Sequence, residues 1–192
     1  PYTSALTIMQ VQSRVMRRHT GQVNTVAFSP CGNFGYSGGV DNRLVMWDMR
    51  TGDVVSERTD VHTREVYEMA VAASGWFIVT CGGNDNRVMV WHAKTLAPMQ
   101  TLEGHEEDVG CVAVSPDSTM IVSGHGSGVV KVWEVQGEGG RWKVKRTIND
   151  HTGRVYAVAF SPDGKMLATG SDDTTIKVYS VTNDFSLMHT LE

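Results

Sequence analysis

HTGQVNTVAFSPCGNFGYSGGVDNRLVMWD, residues 19–48, decides the fold, because the chain repeats it three more times. The further copies are 62–92 (HTREVYEMAVAASGWFIVTCGGNDNRVMVWH), 105–134 (HEEDVGCVAVSPDSTMIVSGHGSGVVKVWE) and 151–180 (HTGRVYAVAFSPDGKMLATGSDDTTIKVYS). Their opening histidines, His19, His62, His105 and His151, stand 43, 43 and 46 residues apart. A fixed period of that length marks a stacked or radial array of one supersecondary unit.

Each unit reads as strands. An apolar, β-branched run comes first, at 23–28, 66–71, 109–114 and 155–160. A turn follows, clearest as Ser161-Pro162-Asp163-Gly164, in which Pro presets φ and Gly supplies permissive backbone. The second strand falls at 34–37, 77–81, 120–123 and 166–169, and a tight turn rich in Gly, Asp and Asn leads into a third, such as LVMWD or TIKVYS. A more variable fourth strand closes each period at 54–58, 97–102, 142–148 and 185–191. Residues 136–140 (QGEGG) read as an exposed loop extension in the third unit. No helical periodicity competes. Four short antiparallel strands per period predict the blade of a β-propeller.

The leading His, the strand-like runs and the Trp47-Asp48 pair that ends the first copy resemble the WD40 repeat family over almost the whole chain. The resemblance implies an all-β, WD40-type propeller with four recognisable four-stranded blades. Their expected limits are 19–61, 62–104, 105–150 and 151–192, with residues 1–18 the outer strand of a preceding blade. Such rings close with seven or eight blades. Four blades and an orphan strand at 6–16 therefore read as part of a larger ring, or as half of one completed by a second copy or another chain. The first residue is Pro rather than Met, which fits the same expectation.

The resemblance also implies a buried hydrogen-bonded set of His, Ser/Thr, Asp and Trp in each blade. The first unit matches with His19, Ser37, Asp41 and Trp47. The second supplies His62, Asp85 and Trp91, with Cys81 standing where the hydroxyl is expected. The third supplies His105, Ser123 and Trp133, with Ser127 for the Asp; the fourth His151, Thr169 and Asp173, with Tyr179 for the Trp. The set is expected to be strongest in the first blade and weakened in the others. A Ser, a His and an Asp together suggest a hydrolase triad. Near-copies spaced through every unit argue instead for a structural role, and no catalytic residue is assigned. Residues 124–128 (GHGSG) sit where the other units carry turns, with no helix following to hold an anion, so they read as a turn. His92, His125 and His189 lie outside the repeated set and lack metal-site spacing, so neither metal nor cofactor is expected.

Composition bounds the rest. With 41% hydrophobic and 20% charged residues, the chain has a globular makeup without an apolar run long enough to span a bilayer or a signal peptide at its start. Cys31, Cys81 and Cys111, an odd number at different places in their units, fit free thiols in a reducing compartment. An intracellular, cytoplasmic protein is expected, with the nucleus left open. A net charge of −4 exerts no global pull on nucleic acid. Two basic clusters, Arg14–Arg17–Arg18 and Arg141–Lys143–Lys145–Arg146, read as edge-strand solvation in preference to phosphate contact.

By analogy with the family, partners are other proteins, held on the face that carries the loops between blades. There the residues differ from unit to unit: Gln22, Asn24 and Val40; Glu65, Tyr67 and Asn84; Asp108, Gly110 and Gly126; Arg154, Tyr156 and Asp172. Tyr67, Arg154 and Tyr156 are the first candidates as anchors. The reading is a non-catalytic protein-interaction scaffold within a larger assembly. Its alternatives are a propeller subunit of a nucleic-acid-associated complex, ribonucleoprotein or chromatin, and a substrate receptor of a ubiquitin ligase.

Overall fold

A computed structural model describes residues 13–83, 85–136 and 140–192. Its sixteen strands form four antiparallel sheets, each a simple meander. The first blade holds β1 (Val23–Phe28), β2 (Phe34–Gly39), β3 (Leu44–Asp48) and β4 (Val54–Arg58). The second holds β5 (Val66–Val71), β6 (Phe77–Gly82), β7 (Val88–His92) and β8 (Pro98–Leu102). In the third are β9 (Val109–Val114), β10 (Met120–His125), β11 (Val130–Gln136) and β12 (Arg141–Ile148). The fourth comprises β13 (Val155–Phe160), β14 (Met166–Ser171), β15 (Ile176–Ser180) and β16 (Ser186–Leu191), with a 3-10 turn at Val181–Asn183.

The core lies between the blades. Each sheet is apolar on both faces, so it is covered only when a neighbour packs on either side. Tyr36, Leu44 and Met46 of the first blade meet Val66, Met69 and Trp91 of the second. Val79, Cys81 and Val88 meet Val109, Val112 and Trp133, and Val122, Val130 and Val132 meet Val155, Leu167 and Tyr179. Close approach is built in: a Cβ on Gly38 or Gly124 would stand 2.7 Å from a methyl of Val66 or Val155 in the next blade.

Polar links stitch the same boundaries. Thr25, Glu68 and Cys111 occupy one repeated position on the first strand and each reaches the following blade. Thr25 Oγ1 accepts from Met69 N at 3.2 Å, Glu68 Oε2 accepts from Val112 N at 2.9 Å, and Cys111 Sγ donates to Val155 O at 3.5 Å. Burial pushes the Glu68 carboxyl above its ordinary pKa, because charging it there forfeits hydration.

The two ends of this series are uncovered. Val26 of β1 is 73% exposed, whereas Met69 and Val112 at the matching positions are 6% and 3%. Ile176 of β15 is 48% exposed, whereas its counterparts Leu44, Val88 and Val130 are wholly buried. The leading face of the first blade is overlain in part by residues 15–18, which with Val23, Val26 and Phe28 line a groove of about 620 Å³. Of the stretch expected as an orphan outer strand, residues 13–16 carry no strand, and 6–12 lie outside the described residues. So do 137–139 of the glycine-rich extension.

Candidate functional site

The four turns that end the second strands meet the four loops that open the first strands, and in the first, second and fourth blades one polar set holds the pair together. In the first blade the Trp47 indole donates to Ser37 Oγ at 2.8 Å, the hydroxyl faces His19 Nε2 at 2.7 Å, and His19 Nδ1 donates to Asp41 at 2.9 Å. An indole can only donate and a carboxylate can only accept, so Ser37 Oγ accepts at one end of this chain and His19 Nδ1 donates at the other. Asp41 also accepts from Thr20 N at 2.8 Å, tying the incoming loop to the turn. Burial alone would raise the Asp41 pKa, but the hydrogen bonds from His19 and Thr20 N outweigh it and the carboxyl sits below its ordinary value. Asp85 and Asp173 are depressed by the same opposition of burial and hydrogen bonding.

The second blade corrects the expectation from sequence. Its hydroxyl is Thr80, not Cys81: Thr80 Oγ1 lies 2.9 Å from both His62 Nε2 and Trp91 Nε1, and Asp85 lies 2.8 Å from His62 Nδ1. The network there is complete rather than weakened. Thr80 lies eighteen residues after His62, as Ser37, Ser123 and Thr169 do after their histidines, and the turn that follows is one residue longer. Cys81 faces the third blade, and burial raises its thiol pKa strongly. In the fourth blade His151 keeps Thr169 and Asp173 at 2.7 Å each, and the Tyr179 ring fills the indole's place, fully buried.

The third blade is built differently. Ser123 bonds His105 Nε2 at 2.6 Å and Trp133 Nε1 at 2.8 Å, but His105 Nδ1 has no hydrogen-bond partner among the described residues. His125 fills the space instead. It stands at the position of Gly39 and Gly82, where a Cβ would come within 2.4 Å of a backbone oxygen, Gln22 O or Glu65 O. Its ring meets His105 edge to face at 4.7 Å between centroids, and its Nδ1 lies 3.2 Å from Ser127 Oγ. Burial drives the His105 pKa down to about 3, assisted by His125 and Lys131. The sequence reading set His125 outside the repeated set; it belongs inside the third blade's.

Above these supports lie the variable residues. The Arg154 guanidinium sits over the Tyr156 ring at 5.5 Å, a cation–π contact, and rests against Gly110. Arg154, Asp108, Glu107, Gly126 and Asn86 line a hollow of about 280 Å³ shared by the second, third and fourth blades. Tyr67 leans on Gly83 beside Glu65, and burial with that carboxyl raises its hydroxyl pKa. Asp172 is exposed at the next turn. Gln22, Asn24 and Val40 of the first blade are exposed too but do not line the hollow; Asn24 Nδ2 donates to Val66 O at 2.9 Å. Asn84 lies outside the described residues. Asn86 and Glu107 are additions, placed by a turn length and a loop position that spacing from the histidine does not reveal.

Each basic cluster is neutralised in part. Arg14 pairs with Asp53 at 3.3 Å, and Arg18 with Glu57. Lys145 pairs with Glu134 at 2.6 Å and Arg146 with Asp184 at 3.2 Å. Among the described residues, no group of three or more His, Cys, Asp or Glu side chains could hold a metal ion, and no helix is long and apolar enough to cross a membrane.

Sixteen strands in four meandering sheets, three interblade cores and a repeated His–hydroxyl–Asp set define blades of a WD40 propeller. The family model described as WD domain, G-beta repeat, matches residues 10–48, 96–134 and 142–180, more than half the chain, and the chain belongs to that family. The family is in general one of non-catalytic interaction scaffolds. The chain is 33% identical to WD repeat and SOCS box-containing protein 1 of Xenopus tropicalis over 96 residues, half of this chain and 22% of that protein. It is 33% identical to small ribosomal subunit protein RACK1y of Oryza sativa subsp. japonica over 129 residues, 64% of this chain and 37% of that protein. The crystal structure of RRP9 WD40 repeats superposes with a TM-score of 0.80 at 20% identity, covering 91% of this chain and 52% of that one. The chain thus spans well under half the length of these two relatives and about half of that solved structure.

Proposed function

We propose that this chain is a four-blade portion of a propeller acting as a non-catalytic protein-interaction scaffold inside the cell, with blades at 19–61, 62–104, 105–150 and 151–192. The observation that carries the reading is the pairing of a repeated support with an unrepeated surface. Hydrogen-bonded histidine sets support the blades from below, while above them the third residue after the histidine is Gln22, Glu65, Asp108 or Arg154 and the fifth is Asn24, Tyr67, Gly110 or Tyr156. Loops held rigid lose little entropy on binding, and Tyr and Arg are the side chains that most often anchor interfaces. A hydrolase reading fails on chemistry: Ser37, Thr80, Ser123 and Thr169 are all buried, and three of them already accept an indole N–H. The uncovered faces around Val26 and Ile176 favour completion by further blades, from a second copy or another chain.

Relatives named as a small ribosomal subunit protein and as a SOCS box-containing protein support a role within a larger assembly. The ion pairs that occupy Arg14, Arg18, Lys145 and Arg146 weigh against a direct phosphate track. The test is quantitative affinity purification of the tagged chain carrying Tyr67→Ala, Arg154→Ala and Tyr156→Ala together. A matched triple at other exposed turns, Arg50→Ala, Asp117→Asn and Lys165→Ala, serves as control. Loss of co-purifying proteins from the first variant alone is expected. Equal retention by both would overturn the assignment of this face.

A further inference from the structure

A second surface lies on the outer rim, away from the loop face, where the second and third blades adjoin. There Trp76 occupies a turn position that the other three blades fill with Asn33, Thr119 and Lys165. It is 50% exposed, an unusual cost for the largest apolar side chain at a turn of polar residues. Its ring meets Phe77 edge-on at 6.2 Å, and Phe77 in turn meets the buried Trp142 at 5.2 Å, so the exposed indole is the outer end of a rigid aromatic row.

The opposite wall is equally fixed. The Gln100 amide brackets the backbone of Trp142, donating to its carbonyl at 2.8 Å and accepting from its N–H at 2.9 Å, which locks β8 against β12 across the blade boundary. Trp76, Met99, Gln100, Arg141 and Trp142 thereby line a groove of about 640 Å³. Arg141 stands at it exposed, and neither it nor Lys143 makes an ion pair among the described residues, whereas Lys145 and Arg146 are paired.

We propose that this groove docks an acidic, extended segment of a partner protein, which lays one aromatic or long aliphatic side chain against Trp76 and Met99 and sets a carboxylate on Arg141. Trp, Met and Arg are the residues enriched where interfaces are tightest, and a preformed groove spares the partner the cost of ordering it. The partner is acidic because Arg141, which lines the groove, makes no ion pair among the described residues. It is a peptide and not a nucleic acid because a single cation lining the groove is too few to follow a phosphate backbone on a chain of net charge −4.

The test uses the full chain and three fluorescein-labelled probes read by anisotropy at low salt. One is a short peptide with a central Phe flanked by Asp and Glu, one has the same centre flanked by Lys, and one is an oligouridylate. Saturable binding of the acidic peptide in preference to the other two is expected. Arg141→Glu and Trp76→Asn should each weaken it by about tenfold or more. The Asn is the residue the first blade itself carries there, so that turn accommodates it, and matching circular dichroism melts verify the fold. The triple variant of the loop face should leave this affinity unchanged, which separates the two surfaces. Absence of saturable acidic-peptide binding, an affinity unchanged from the parent chain in either groove variant, or preference for the basic peptide or the oligouridylate would each overturn the proposal.

Discussion

His105 and His125 meet edge to face in the third blade, ring centroids 4.7 Å apart, at the point where each of the other three blades sets an aspartate against its histidine. An acceptor has been replaced by a second group that can only add positive charge. Glu106, Glu107 and Lys131 are the charged side chains felt by this pair, and burial lowers both imidazole pKa values, His105 to about 3.

The consequence is a stability loss on mild acidification. Unfolded His105 takes up its proton near its ordinary value of 6.5, while folded His105 resists protonation down to about 3. Between those values the unfolded state binds more protons, so the stabilisation present above 6.5 is lost as pH falls. The depressed Asp41, Asp85 and Asp173 act only at lower pH, around and below their ordinary carboxylate range. Thermal melts from pH 7.5 to pH 5 should therefore show a falling midpoint that the double variant His125→Gly, Ser127→Asp flattens, since it gives His105 the carboxylate the other blades have. Parallel curves for the two proteins would refute this account.

The hydroxyl of the second blade offers a sharper test. Thr80→Val strips a buried partner from both His62 and Trp91 and should destabilise by about 3 kcal/mol, because two buried polar groups are left unpaired. Cys81→Ser would strengthen the protein if residue 81 held the network; buried among Val79, Val88 and Val109, it should instead cost about 1–2 kcal/mol for an unpaired hydroxyl. Urea midpoints of the two variants decide the matter, and a stabilised Cys81→Ser is the outcome that contradicts the geometry.

Two spacings compete for the hydroxyl position of the second blade. Counting back from Trp91 by the ten residues that separate Ser37 from Trp47 lands on Cys81; counting forward from His62 lands on Thr80. The second unit's turn holds one more residue, and one sequence alone does not say on which side of the hydroxyl it sits. The period, the meander and the interblade core were legible because strand residues recur wherever a neighbour must be packed. His125 was not, since its place is created by the absence of Asp in its own turn and by a position that must be glycine in two other blades. Trp76 is illegible for the opposite reason: nothing in a strand pattern distinguishes a turn residue that faces solvent from one that walls a groove.

Turn geometry carries a third prediction. Asn42, Asn86, Gly128 and Thr174 occupy one repeated position with φ of 58°, 55°, 87° and 68°. Asn and Gly enter that left-handed region readily, but a β-branched residue does so at a cost of about 1–2 kcal/mol. Thr174→Asn should raise stability by about 1 kcal/mol, read as a shift in the urea midpoint without change in slope. A neutral or destabilised variant would mean that the Thr174 side chain contributes more than its backbone strain costs.

The uncovered end faces lead to the last prediction. Val26 and Phe28 on one end and Ile176 on the other are apolar side chains whose counterparts in the interior of the arc are covered by a neighbouring blade. Gly170 marks the same absence: a Cβ there would find nothing nearer than 3.9 Å, although the matching Gly124 is pressed against Val155. Exposed apolar sheet faces of this kind drive association, either into a closed ring or into aggregates. Light scattering across a concentration series should accordingly show self-association that Phe28→Glu weakens and Ile176→Glu weakens independently. If the two ends close on each other in a symmetric dimer, either substitution alone abolishes a discrete species of twice the mass. Should the faces instead await blades from another chain, both substitutions reduce a broad, concentration-dependent distribution. A monodisperse monomer that binds no apolar dye, unaltered by either substitution, would contradict the view that these faces are sites of completion.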